Sequence, residues 1–205
     1  MIASAEVVDS EALLGMMRKR RVTRQFTSQA VPIEVLQKIV EAGRWATSGG
    51  NRYPHRFLVV RDPHRISLVR AASPGMLWEP PALIIIMLDT EQSKADLVDV
   101  DPFTASHIDV GTAAMSMLTM VQSLGLGACP VTSFSKSGVS AMLELPSNLS
   151  PEFILILGYP LAVTRVINAN APKPVTVRDL TFWEFVGLHD SNMGNSDLER
   201  RGQTQ

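Results

Sequence analysis

The sequence predicts one domain that mixes helices with strands, and three observations carry that prediction. Apolar residues recur at helical spacing in 33–46 and fill 110–124 almost without interruption. Short apolar or β-branched runs at 56–60, 82–88, 128–132 and 153–159 read as strands. The connections between them are brief clusters of Ser, Gly, Asn and Pro, with no linker of domain scale and no internal repeat. A chain of 205 residues can bury a full core, and 45% hydrophobic with 19% charged residues is a globular balance. The domain is expected to span 1–188, followed by a polar tail over 189–205.

Taken in order, Asp9 and Ser10 are N-cap residues for a helix carrying Leu13, Met16 and Met17 and ending near Arg20. A basic cluster follows: Arg18, Lys19, Arg20, Arg21 and Arg24. Cations at a helix C-terminus suit its dipole, which accounts for Arg18 and Lys19. Arg24 lies beyond the helix, in an extended run before Phe26. Pro32 suits the first position of a helix whose apolar face is Val35, Leu36, Ile39, Val40 and Gly43. That helix runs into Thr47-Ser48-Gly49-Gly50-Asn51, a breaker cluster whose backbone N–H groups and short polar side chains can meet a ligand.

Asp62-Pro63 caps and opens a helix to about Ala72. The run Ala82 to Leu88 reads as a strand buried on both faces. Residues 89–106 are acidic and unpatterned, with Phe103 a lone aromatic, and read as a mobile loop or lid. Asp109 is read as the cap of a helix over 110–124 that is apolar all round and therefore buried on all sides, at the centre of the fold or in a dimer interface. Ser135 caps a further helix to Leu143, and 180–186 is a short apolar segment beyond Pro172 and Pro174.

Composition excludes several functions. A net charge of −1 gives no basic field for nucleic acid. A single cysteine, Cys129, supports neither a disulfide framework nor a multi-cysteine metal site, and the four histidines lack metal-ligand spacing. Residues 1–14 lack the pattern of a signal peptide, and the longest apolar run is too short to span a bilayer. The expectation is a soluble, cytoplasmic protein. No nucleophile–base set or carboxylate pair stands out, and Cys129 in a strand pattern reads as a core thiol. Binding features without acid–base machinery suit an enzyme whose cofactor supplies the chemistry. Forked arginines fit phosphate oxygens, while Asn and Ser fit the edge of a heterocycle.

Three motifs sharpen this. Arg20-Arg21-Val22-Thr23-Arg24-Gln25-Phe26 resembles RRSxRxF, and Arg44 to His55 resembles RWAPSGGNxQPW. Asp109 to Tyr159 resembles a D-x-G-x-A helix followed by GLG, a short strand, a helix and a strand ending in GYP. In this order they resemble the FMN-dependent nitroreductase family over most of the chain. The resemblance implies an α+β fold with a mixed, mainly antiparallel sheet flanked by helices, in an intertwined homodimer with FMN at the interface. It implies NAD(P)H as co-substrate and a ping-pong exchange in which flavin N5 carries the hydride, so no side chain is the catalytic group.

By matched position, Arg20 and Arg21 approach the FMN phosphate with Val22 between them and Arg24, and Arg24 approaches N1 and O2, where the reduced flavin is anionic. Ser48 and Asn51 come from the second chain, and Gly49 is a further cofactor-binding residue. Pro130, Val131, Thr132 and Ser133 pass the flavin, with backbone groups of the last two near N5. Arg178, and more weakly Lys173, add to the phosphate site. Trp78 and Phe103 are the substrate candidates. Val22 for serine, Thr47 for proline, Tyr53 for glutamine, His55 for tryptophan and Thr132-Ser133 for Glu-Gly depart from the pattern, leaving the acceptor open. Nitroaromatics and quinones are the expected acceptors. The alternatives are a flavin oxidase or dehydrogenase, a dehalogenase, and a flavin-binding protein without turnover.

Overall fold

The computed structural model describes residues 8–93, 102–162 and 175–182. The chain divides into two compact units, residues 1–162 and 163–205. The first opens with α1 (Ser10–Lys19), capped by Asp9, whose side chain accepts from Glu11 N–H. It continues with α2 (Ile33–Arg44), β1 (His55–Val60), α3 (Pro63–Ala71), β2 (Ala82–Asp89), α4 (Thr90–Ser93), α5 (Pro102–Ser123), β3 (Gly127–Val131), α6 (Lys136–Met142) and β4 (Leu149–Gly158). In the second unit the described residues hold α7 (Val177–Leu180). The expected tail, 189–205, lies outside the described residues.

The sheet order is β1-β2-β4-β3, and every pairing is antiparallel. All eight residues of β2 are buried, as its unbroken apolar run requires of a central strand with both faces covered. Because side chains alternate along a strand, β2 feeds two cores. Ile84, Ile86 and Leu88 pack on one face with Leu36, Ile39, Ala114, Met117 and Val121 from α2 and α5. Leu83, Ile85 and Met87 pack on the other with Ile66, Val69 and Val139 from α3 and α6. The result is an α+β layer structure, helices on both faces of one antiparallel sheet.

Several local signals fold as the sequence predicts. Asp62 caps α3 by accepting from Arg65 N–H, with Pro63 in the first turn. Ser135 caps α6 by accepting from Gly138 N–H. Other expectations are corrected. Pro32 is the N-cap of α2 rather than its first residue, and that helix ends at Arg44. Residues 89–106 are not one loop: Asp89 accepts from Glu91 N–H and starts α4, and 102–106 are the first turns of α5. Asp109 therefore does not cap α5. It lies seven residues inside that helix, and Pro102, which needs no N–H partner, opens it instead.

Nor is α5 buried on all sides within the chain. Ala113, Ala114, Met117 and Val121 face the core, while Ile108 is 62% and Met115 45% exposed. Among the described residues, part of the apolar outer face of α5 is thus left exposed, and on α1 so are parts of Leu13, Leu14 and Met17.

A short extended run ties the N-terminal segment to the open edge of β3. Val22 bridges Ala128 in parallel, and Thr23 N–H donates to Ala128 O at 2.9 Å. The closeness of this contact depends on Gly127. A Cβ there would stand 2.6 Å from Cβ, Cγ2 and Oγ1 of Thr23, a stiff side chain that cannot swing aside. Gly127→Ala is therefore expected to cost about 1–3 kcal/mol, the usual penalty for overpacking. Urea unfolding should show a lower midpoint at unchanged slope. A midpoint equal to wild type would show that the 22–24 run can lift from the sheet without cost.

Candidate functional site

The basic segment is the first part of the site. Arg20 ends α1, its N–H bonded to Met16 O and Met17 O. It lines a small cavity with Met16, Met17, Met115, Thr119 and Gln122, so it stands beside the later turns of α5. Arg21 folds back on the helix end: its Nη1 donates to Arg18 O at 2.6 Å and Arg20 O at 2.9 Å. It satisfies carbonyls that a helix C-terminus leaves open, which partly commits this guanidinium to the fold. Val22 is 42% exposed on the strand edge. Arg24 is exposed, two residues further along the parallel run, and its charge reaches Cys129. Burial pushes the Cys129 thiol up and Arg24 opposes that shift. Cys129 is 3% exposed and donates to Pro130 O, so it is a core thiol, as expected.

The strand end is the second part. Pro130 is half-buried, Val131 is buried, and Thr132 and Ser133 are exposed where β3 stops. Gly75 N–H donates to Ser133 O at 3.0 Å, bringing the 75–79 link against this end of the sheet. Trp78 lies on that link, 43% exposed, and Arg70 braces it by bonding Leu77 O and pairing with Glu79 at 3.2 Å. The structure thus brings Trp78's segment to the 130–133 strand end. Phe103 is the second residue of α5, not part of a loop. Lys173 lies outside the described residues. Arg178 follows Val177 in α7 of the second unit. Its relation to the basic segment rests on the resemblance alone.

The third part is the 47–54 loop, which a carboxylate fixes to the middle of α5. Ser48 Oγ donates to Asp109 Oδ2 at 2.9 Å, and Gly49 N–H donates to Oδ1 at 3.1 Å. Tyr53 N–H donates to Ser48 Oγ at 2.9 Å, closing the loop on itself. Thr112 Oγ1 donates to Thr47 O at 3.1 Å. Gly49–Asn51 forms a single 3₁₀ turn, with Gly50 at φ 62°, Asn51 at φ 57° and Tyr53 at φ 51°. Positive φ at two non-glycine residues is strain that the surrounding bonds hold in place. Asn51 is exposed. Thr112 and Thr119, which mark the loop and Arg20 on α5, are two helical turns apart, roughly 10 Å along the axis.

Asp109, expected as a cap, is instead the residue of α5 that bonds the 47–54 loop. Its signal, an aspartate before an apolar helix, is the same for both roles. It is 7% exposed, and with Gly49, Arg52, Gln92 and Ser106 it lines a cavity of about 20 Å³, room for one water. Beside it, His55 is 5% exposed, its ring centroid 5.1 Å from Phe57 and 6.0 Å from Tyr53, and its Nδ1 has no hydrogen-bond partner among the described residues. Another acid, Glu152, whose side chain is 7% exposed, joins β4 to α5 and α6 through His107 at 3.0 Å and Lys136. Burial raises the Glu152 carboxyl, but the bonds from Lys136 and Ser150, the Lys136 charge and the His107 contact together leave it below the usual range. This cluster joins the elements around the sheet and is not part of the three site segments.

Comparison with known proteins gives a family. The model of the Nitroreductase family matches residues 17–73 and 68–159. A protein of Thermus thermophilus named NADH dehydrogenase is 29% identical over 171 residues, covering 69% of this chain and 83% of its own. An iodotyrosine deiodinase of Haliscomenobacter hydrossis is 26% identical, covering 70% of this chain and 77% of its own. Among solved structures, one from Desulfovibrio desulfuricans described as a nitroreductase in complex with FMN superposes with a TM-score of 0.63. It is 27% identical, covering 82% of this chain and 100% of its own.

Burial holds the His55 imidazole below its ordinary value of 6.5; the Asp109 charge opposes this and Arg56 adds to it. Below pH 6.5 the unfolded chain therefore binds a proton that the folded chain resists. His55 thus favours the fold above that pH, and the contribution is lost as pH falls. Thermal melts from about pH 7.5 to about pH 5.5 should show a smaller fall in Tm for His55→Phe than for wild type. Parallel curves for the two proteins would show that His55 does not feel its burial.

Proposed function

The chain belongs to the Nitroreductase family, and from that premise we propose that it transfers reducing equivalents from NAD(P)H to nitroaromatic, quinone or similar electron-poor acceptors, in two separate half-reactions at one site. It is an oxidoreductase with FMN as cofactor and NAD(P)H as co-substrate. Bound FMN supplies the two-electron relay between nicotinamide and acceptor.

The residues present fit that group. The observation that carries the reading is the pinning of 22–24 to the edge of β3, which holds exposed Arg24 beside the strand that Thr132 and Ser133 follow. Arg20 and Arg24 would hold the phosphate and the pyrimidine edge with charge-assisted bonds. Arg21 would share the phosphate only with the nitrogens that its helix contacts leave over. Backbone groups at 130–133 would border the ring. Trp78, on the link bonded to Ser133, and Phe103 would bound the acceptor space. These residues bind, orient and exclude water; none transfers a proton in this reading.

We also read the site as shared between two copies of the chain, Arg20 and Arg24 from one and Ser48, Gly49 and Asn51 from the other. The uncovered apolar faces of α1 and α5 support the pairing. Among the described residues no helix is long and apolar enough to cross a membrane, and a reducing cytoplasmic setting suits the free Cys129.

The direct test is spectral. The purified protein should carry FMN at about one per chain, bleach with NADH or NADPH without oxygen, and recover its colour on adding a nitroaromatic or quinone. FMN that neither nucleotide bleaches would leave a binding protein without turnover. Given the deiodinase relative, a halogenated phenol should be tried as acceptor, and recovery with it alone would favour reductive dehalogenation.

Sharing is tested by doubly tagged heterodimers of Arg20→Ala with Asn51→Ala. One site then carries both lesions and the other neither, so FMN binding should return to half of the sites. Heterodimers no better than either impaired parent would place Arg20 and Asn51 in the same chain's site.

A further inference from the structure

We propose that Asp109 is a positioning residue whose buried carboxylate holds the 48–51 turn in the shape that presents Asn51, with Ser48 serving this hold and not the cofactor directly. The inference rests on the reading above that this turn borders FMN.

The hydrogen bonds around Ser48 leave its hydroxyl little to offer a ligand. A hydroxyl has one proton, and that of Ser48 goes to Asp109 Oδ2 at 2.9 Å. Its oxygen already accepts Tyr53 N–H at 2.9 Å. The same side chain therefore joins both ends of the loop to the carboxylate. Gly49 N–H, the next donor along the turn, points to Asp109 as well, at 3.1 Å from Oδ1 and 3.3 Å from Oδ2. Asp109 takes the first two donors of the turn and leaves Asn51, exposed and at φ 57°, as its outward polar group.

The energetics point the same way. Burying a carboxylate to 7% exposure in the middle of a helix is costly, and an apolar side chain there would carry no such cost. Left-handed backbone at Asn51 and Tyr53 adds further strain. Both costs are offset if the charge fixes a turn that would otherwise relax. Thr112 Oγ1, one helical turn beyond Asp109, shares its one proton between Asp109 O at 2.9 Å and Thr47 O at 3.1 Å, so the loop keeps this shared attachment when the carboxylate is lost. Removing the Asp109 charge should therefore change the turn without unfolding α5.

The test compares Asp109→Asn, Ser48→Ala, their double variant, Asp109→Glu and Asn51→Ala. It reads FMN affinity by fluorescence quenching and backbone amide exchange in 47–54. Asp109→Asn should speed exchange at Gly49 while the β2 and α5 core stays protected, and should weaken FMN about tenfold, the effect of one charged hydrogen bond. Ser48→Ala should match it, and the double variant should fall less than about threefold below the weaker single, because both break one network. Asp109→Glu, which keeps the charge, should recover part of the affinity, a rescue that simple loss of packing does not give.

Slow Gly49 exchange with full FMN affinity in Asp109→Asn overturns the proposal. Multiplicative losses in the double variant also overturn it, since they would mean that Ser48 touches FMN independently. If Asn51→Ala keeps full affinity, the placement of FMN at this turn is what fails. Gly49 exchange then still decides the hold, fast supporting it and slow refuting it. Should Asp109→Asn not fold, Ser48→Ala, on the surface loop, carries the same two readouts.

Discussion

Everything in the first unit is arranged around one constraint: β2 is an apolar strand that must be covered on both faces. Alternation along it produces two cores, α2 and α5 on one side and α3 and α6 on the other. With the faces closed by helices, the sheet's edges and strand ends are what remain for binding. The β3 edge takes the basic 20–24 segment, and the β3 terminus meets the 75–79 link. The proposed site would thus be set by where the sheet runs out of partners. Its polar groups sit at a strand edge, a strand end and a helix-to-strand loop, and none of them interrupts the core.

The long helix α5 relates the parts. Its inner face packs on the sheet, its middle holds the 47–54 loop through Asp109 and Thr112, and its later turns stand beside Arg20. Loop and arginine of one chain meet α5 about two turns apart, while the apolar outer face lies open. In the proposed pairing, contact between two such helices would cover Ile108 and Met115.

Much of the fold was legible because its signals are local. Asp9, Asp62 with Pro63 and Ser135 each cap a helix through a bond within three residues, so neighbouring letters suffice. The strand 82–88 was legible because no other arrangement hides so unbroken an apolar run. Asp109 was misread for the converse reason. An aspartate ahead of an apolar stretch looks like a cap, and its real partners are 60 and 61 residues away in sequence. The start of α5 was obscured by the polar content of 102–109, where the exposed His107 pairs with Glu152. At Arg21 the motif gave a phosphate ligand by type, and only the coordinates show the guanidinium turned onto its own helix end. Motifs place residue types near a ligand; how each spends its hydrogen bonds is a three-dimensional property.

The central claim is that the segment pinned to β3 holds the FMN phosphate and pyrimidine edge through Arg20 and Arg24. Equilibrium dialysis of FMN against Arg20→Ala, Arg24→Ala and Arg18→Ala tests it most directly. Arg18 carries the same charge in the last turn of α1 but lies outside the proposed contacts. The account predicts a loss of about 1.5–3 kcal/mol for each of the first two, the range for charged hydrogen bonds, and an unchanged affinity for the third. Equal, small losses in all three would mean that the segment acts only through its general positive charge, and would contradict the account.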